Sequence, residues 1–508
     1  MGGNPAAGAG TAFGITGELA GMERNVFVLG YDTFHAHYLQ RLREPEDVRY
    51  WPLLQSDEVV YQESYGVDAM LDSAWKVLDD FPWSVDGIIT HWDFPAISLL
   101  AVLCEERGLR GPTLEAVLKC EHKYWSRLEQ QKAVPESTPA FCAVDPFDHD
   151  AQEKLTVDFP FWVKPVKGYS SALGFRVDGP EDFRRATSEA RHQIRRFGGP
   201  LNQLLARLDL PEEIARVDGN HMIAEELVGG REVAPEGFVQ HDDVHVHGLV
   251  DVVLGENGKS MERVEYPSKL SAPLAHRIED TTRKVISQIG LNDGCFNIEY
   301  FWDEEKDRLW IVEINPRLSQ SHSNLFEKMD GKSNHLVAVQ LALGRDVEFA
   351  HGSGPYQRAA KVWWRRYDPT DAVAMSAPTH ADINALKEHQ RDTLVELGVR
   401  EGVQLSDLLD QDPYSYVLAE LHVGANSPEE LDAKIREAQA LLPFEFEDVP
   451  FYSSKALGRR ASGLLWEAEG LLRSHRSAAL SAGLAAGVAF FWLLRASQID
   501  EAGPVDAT

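Results

Sequence analysis

The stretch FNIEYFWDEEKDRLWIVEINPRL, residues 296–318, constrains this chain more than any other. Two apolar, β-rich runs, 295–302 and 308–314, flank the charged turn DEEKD, which is the pattern of a hairpin. In the second run Glu313 and Asn315 are two residues apart, so a strand points both side chains to one face. Arg317 follows Pro316, where a strand must end or lose a ladder bond. Glu299 lies on the first run and comes beside Glu313 across the hairpin. Facing carboxylates repel unless a cation lies between them. Carboxylate and amide oxygens suit Mg²⁺, which takes hard oxygen ligands together with substrate phosphates. A guanidinium at 317 is suited to holding a transferred phosphoryl group. The bland alternative is an exposed charge pair on a sheet face.

Before the hairpin, short apolar runs alternate with helical stretches. NVFVLG (25–30) and VDGIIT (85–90) read as buried parallel strands, with helices over 65–78 and an amphipathic helix over 95–107. That alternation predicts an α/β domain over 25–120. FWVKP (161–165), HMIAEELV (221–228) and HVHGLVDVVL (245–254) read as further strands, and 277–289 and 334–343 as helices, the latter ending at Gly344. Residues 416–423 read as a strand, and Ser427 with Glu430 forms a capping-box pattern. The formal charge of −30 argues against a nucleic-acid partner, which needs clustered Lys and Arg, but not against a nucleotide. Cys104, Cys120, Cys142 and Cys295 lack CxxC spacing and read as buried thiols of a reducing, cytosolic compartment.

The hairpin resembles the metal-binding hairpin of ATP-grasp enzymes, nearest to the branch of biotin carboxylases, carbamoyl-phosphate synthetases and amino-acid ligases. The resemblance runs from about Asn25 to Gly344 and more loosely to about residue 450. It implies an α/β and α+β architecture: a Rossmann-like domain over 25–120, an ATP-grasp domain over 121–345 with a mobile lid over about 160–225, and an α+β domain over 346–450. It implies ATP and Mg²⁺ (or Mn²⁺), with Glu299, Glu313 and Asn315 as metal ligands and Arg317 as the phosphate or intermediate contact. HMIAEELVGGRE resembles the hinge that holds adenine; Glu225 would accept from the adenine amino group through its carbonyl, Leu227 would donate its N–H, Glu226 lies beside them, and Glu232 would bind the ribose hydroxyls. FPFWVKPVKGYSSALGF resembles the strand and loop over the phosphates, with Lys164 on the strand and Lys167, Gly168, Ser170 and Ser171 in the loop. LRGPTLEAVLKCEHKYWSRL resembles the entry to the module, with Lys123 as its first phosphate-binding lysine.

Within that family the expected activity is carboxylate–amine ligation through an acyl phosphate, releasing ADP and phosphate from small-molecule substrates. His322, Lys269 and the stretch 361–366 are candidates for the substrate pocket. Two other readings stay open: a biotin-dependent carboxylase and a non-catalytic nucleotide-binding module. The first is disfavoured because Ser321 stands near the place of that family's glutamate and no AMKM-like segment is present. Residues 1–24 read as a disordered leader, 451–476 as a linker or amphipathic segment, and 496–508 as a tail. The uncharged run 478–494 within the hydrophobic segment 477–495 has two readings: a helix anchoring the enzyme to the cytosolic face of a membrane, or a buried or dimerising helix.

Overall fold

A computed structural model describes residues 23–42, 47–60, 66–168, 173–368, 370–408, 411–412 and 414–449. The leader 1–22, the loop positions 169–172 and the C-terminal segment 450–508, with its hydrophobic run, lie outside the described residues. Among the described residues no helix is long and apolar enough to cross a membrane.

The first layer is a parallel sheet of β1 (Arg24–Tyr31), β2 (Val48–Gln55) and β3 (Gly87–Ile89), with β1 in the centre. Val26, Phe27, Val28 and Leu29 are all buried because helices cover both faces, as parallel strands require. The helix Ala96–Arg107 differs from the amphipathic helix read from sequence. Every residue from Ala96 to Cys104 is buried, since the helix is wedged among β1, β3 and the helices Val67–Asp79 and Leu114–Glu121. It stops at Gly108, whose left-handed φ of +65° closes the last turn.

The second layer is an antiparallel sheet of β4 (Phe141–Val144), β5 (Phe161–Pro165), β6 (Phe175–Val177) and β7 (Met222–Glu226), ordered β4-β7-β5-β6. Its alternation sorts the residues cleanly. Phe161, Val163, Met222 and Ala224 join Phe183, Ala186 and Ala190 of the helix Pro180–Gln193 in a small core. Trp162, Lys164 and Glu225 therefore point the other way, towards the rest of the molecule.

The third layer has eight antiparallel strands. β8 (Arg231–Gln240), β9 (Asp243–Leu254), β10 (Met261–Tyr266), β11 (Gly294–Asp303) and β12 (Arg308–Asn315) form one half. Of the later strands β13 (Arg358–Arg366), β14 (Ala372–Ser376), β15 (Leu394–Leu397), β16 (Tyr416–Ala425) and β17 (Glu445–Asp448), β13, β15 and β16 complete it in the order β12-β11-β8-β9-β10-β13-β16-β15. β14 and β17 pair separately. One face carries Ile298, Tyr300 and Ile311, packed on Ile278, Val285 and Ile286 of the helix Ala272–Ile289. The opposite face lies under the helix Ser323–Asp330, through Leu325 and Phe326, over β8–β10. There Gly248 is required, because a Cβ would meet the Phe326 ring at 2.4 Å. Beyond that helix, at the β11–β12 edge, the same face opens towards the second layer.

Candidate active site

The open face of the hairpin carries the acids read from sequence. Register pairs Glu299 directly with Glu313 and Asn297 with Asn315. A bulge between these pairs and the next leaves Val312 as the extra residue on β12. Burial, then the neighbouring charges of Glu313 and Glu232, push the Glu299 carboxyl well above its usual range. Glu313 goes the other way: burial opposes ionisation, but Lys123, Lys164 and Lys167 hold it ionised. Asn315 donates its amide nitrogen towards Glu299 Oε1 at 3.4 Å, so a half-turn of the amide presents its oxygen to the same place. Two opposed carboxylates and an amide are an oxygen donor set that a hard divalent cation fits.

Facing these acids is an array of cations, each already paired. Lys123 opens the helix Lys123–Ala133, capped by His122, and its Nζ lies 2.6 Å from Glu313 Oε1 and donates to the Gly168 carbonyl at 3.2 Å. Lys164 Nζ is 2.8 Å from Glu225 Oε2. Arg127, one turn after Lys123, donates Nε to Glu225 Oε1 at 2.6 Å and a terminal nitrogen to the Val312 carbonyl at 2.9 Å. It thereby ties the second layer to the hairpin bulge. Burial works against the Glu225 charge, yet Arg127 and Lys164 bring its pKa down to about 2. Arg317 reaches back to Asp93 Oδ2 at 2.8 Å, in the loop that follows β3.

Lys123, Lys164, Gly168, Glu225, Glu226, Leu227, Glu299 and Glu313 line one cavity of about 410 Å³ between the second layer and the hairpin, within the range of small-molecule sites. Glu232 sits on the same sheet face, opposite Phe301, where burial alone raises its carboxyl to about 7. Gly230, with φ +142°, makes the sharp turn between β7 and β8, where a Cβ would meet the Trp302 carbonyl at 2.2 Å.

Five sequence expectations fare differently. Lys167 is buried against Glu121 and Asp93 rather than presented on a loop, because the chain turns it into the junction with the first layer. Ser170 and Ser171 lie outside the described residues. Lys269 pairs with Glu265, whose register with Asp251 and Val233 places it on the face opposite the acids, so alternation separates it from the cavity. The Glu225 carbonyl is directed at Trp162: Glu226 N–H bonds the Ala140 carbonyl, and in an antiparallel strand the next residue's polar groups point to the other neighbour. His322 is buried, bonded through Nδ1 to Glu236 Oε2 at 2.6 Å. Sequence reasoning missed Arg127, Asp93 and Glu121; the four-residue spacing of Lys123 and Arg127 on one helix face was the available signal for the first.

The family model of the ATP-grasp domain matches residues 157–324, which take in β5, β6 and β7 of the second layer, the turn into β8 and the hairpin. The chain carries an ATP-grasp domain. The wider fold agrees. The L-amino acid ligase of Bacillus licheniformis superposes with a TM-score of 0.64 at 18% identity, covering 84% of this chain and 100% of that one. The biotin carboxylase of Campylobacter jejuni, solved as a beta-gamma-ATP complex, gives 0.58 at 15% identity, over 84% and 93%. In sequence, the carbamoyl phosphate synthase large chain of Thermotoga sp. (strain RQ2) is 41% identical over 68 residues, 13% of this chain and 6% of that relative's length.

Proposed function

We propose that this ATP-grasp protein is a carboxylate–amine ligase, which phosphorylates a carboxylic acid with ATP and lets an amine displace phosphate from the acyl phosphate. The observation that carries the reading is the opposition of Glu299 and Glu313 to Lys123 and Lys164 around one cavity, with Asn315 beside Glu299. Lys123 and Lys164 exchange their carboxylate partners for phosphate oxygens. Glu299, Glu313 and Asn315 would hold Mg²⁺, which would supply charge neutralisation to the phosphates. Glu232 accepts from the ribose hydroxyls. With the Glu225 carbonyl committed to β5, the adenine edge falls to the backbone just past the strand, at Glu226 to Val228. Arg317, released from Asp93, holds the developing acyl phosphate. The covering lid is the segment from about 160 to 225.

A biotin-dependent carboxylase is the lesser reading. The run after Arg317 carries no carboxylate, and Glu236, the acid beneath it, is fully buried and bonded to His322 and Asn334. The purified chain with MgATP is to be screened against pooled carboxylic acids and amines for phosphate release. ADP and phosphate formed only when an acid and an amine are both present support the ligase. AMP with pyrophosphate rejects the acyl phosphate, and turnover that needs bicarbonate and biotin transfers the case to the carboxylase.

A further inference from the structure

A second constellation lies outside the nucleotide cavity, at the C-terminal edge of the parallel sheet. β1 runs directly into Asp32 and the helix Thr33–Arg41, and β3 runs into His91. The strand order β2-β1-β3 means that the chain leaves β1 to one side and returns on the other. A crevice opens at such a reversal, and in α/β sheets ligands are received there. Asp32 Oδ1 is used locally, accepting from the His35 N–H at 2.8 Å as the helix cap. Its Oδ2 is held by two rings: His35 Nδ1 at 2.8 Å and His91 Nε2 at 2.9 Å. The rings stack with centroids 4.0 Å apart. One ligand atom from each of Asp32, His35 and His91 falls within 4.8 Å of the others.

We propose that Asp32, His35 and His91 bind a divalent transition-metal ion of the zinc class. One carboxylate oxygen and two imidazole nitrogens are the donor types such ions take, and Mg²⁺ does not. His35 and Asp32 come from one helical turn and His91 from the adjacent strand end, so no large rearrangement is needed to close around an ion. Two further imidazole nitrogens lie beside the cluster. His91 donates from Nε2 to Asp32, which sets its tautomer, and its Nδ1 is buried without a hydrogen bond to the described residues. His335 brings its ring within 5.5 Å of His91 and 5.8 Å of His35; its Nδ1 bonds Ser333 Oγ at 2.9 Å and its Nε2 is likewise buried without a partner. On metal binding each neutral ring shifts its proton from the nitrogen now bonded to Asp32 to the other ring nitrogen, and the ion takes the place of those two hydrogen bonds beside the carboxylate. The ion would pin His91, two residues before Asp93, the partner of Arg317.

The test uses the full-length chain stripped with a chelator and kept free of nucleotide. Zn²⁺ is titrated calorimetrically, and Co²⁺ is followed by its visible absorption. The expected result is one tight site with the spectrum of a low-coordinate, nitrogen-bound Co²⁺. His91→Gln and Asp32→Asn should each weaken it by at least about 100-fold, since even outer-shell partners are worth 10–100-fold. Asparagine at 32 keeps the helix cap, which guards against misfolding. Glu313→Gln, in the hairpin, and His422→Gln, in the separate Glu396–Glu420–His422 group, should leave it unchanged. Absence of tight binding by the unaltered chain overturns the proposal, as does a site lost in Glu313→Gln or His422→Gln but kept in His91→Gln. Because no nucleotide is present, failure of the ligase reading leaves this result untouched.

Discussion

Replacing Arg127 with Met probes how the two layers are joined. The Arg127 and Glu225 side chains are 4% and 6% exposed, so this is a buried pair rather than a surface one. Removing one partner of a buried pair costs about 3–5 kcal/mol, because the other charge is stranded. Here Lys164 still holds Glu225 Oε2, while the Val312 carbonyl loses its donor. The lower end, about 3 kcal/mol, is therefore expected. At about 2–4 °C per kcal/mol, the melting transition should fall by roughly 6–12 °C. Adding Glu225→Gln removes the stranded charge, so the double variant should be more stable than the sum of the single losses by about 2 kcal/mol, the coupling of groups in contact. Thermal melting of the four proteins, followed by tryptophan fluorescence, closes the cycle. A drop below about 2 °C for Arg127→Met, or strict additivity in the double variant, would refute the reasoning.

Four other outcomes follow from the structure. Glu313→Gln should lower kcat by roughly 100–1,000-fold with the fold intact; full activity in a folded variant removes Glu313 from the metal set. Since burial raises Glu232 to about 7, its carboxylate form is lost as pH falls, so ADP affinity should rise about tenfold from pH 6 to 8; Glu232→Gln should flatten that step, and a step that survives assigns it elsewhere. Hydrogen exchange over 160–225 should slow with MgATP, and equal exchange in both states argues against a lid. On sequence grounds, the full-length chain should fractionate with membranes and a version ending near Leu472 should not; a chain that is freely soluble without detergent excludes the anchor.

The hairpin was legible because its signal is local: two apolar runs, a charged turn and acids spaced by two. The bulge at Val312 was not. By strict alternation from Trp310, Glu313 would face the helix Ala272–Ile289; the extra residue returns it to the open face. The pairings of Arg317 with Asp93 and of Lys167 with Glu121 were invisible for another reason. They join residues far apart in sequence, and only the docking of the first layer brings them together. β4 and β6 escaped notice because they have only four and three residues, and β2 because most of its residues are partly exposed and carry no clear period. Lys164 and Glu225 could be read as site residues, but their direct contact depends on β5 and β7 being neighbours.

On the proposed reading, the resting partnership of Lys123 with Glu313 links nucleotide and metal uptake. A bare phosphate drawing Lys123 away would leave Glu313 beside Glu299 without its nearest counter-charge. A bare Mg²⁺ taking Glu313 would leave Lys123 buried and unpaired. Each ligand creates the demand the other meets, so each must raise the other's affinity by the same factor. On that reading simple anions, which bring no metal, should gain little from this cleft, and selectivity for a metal-bearing polyphosphate would rest in the ion pairs of the resting protein.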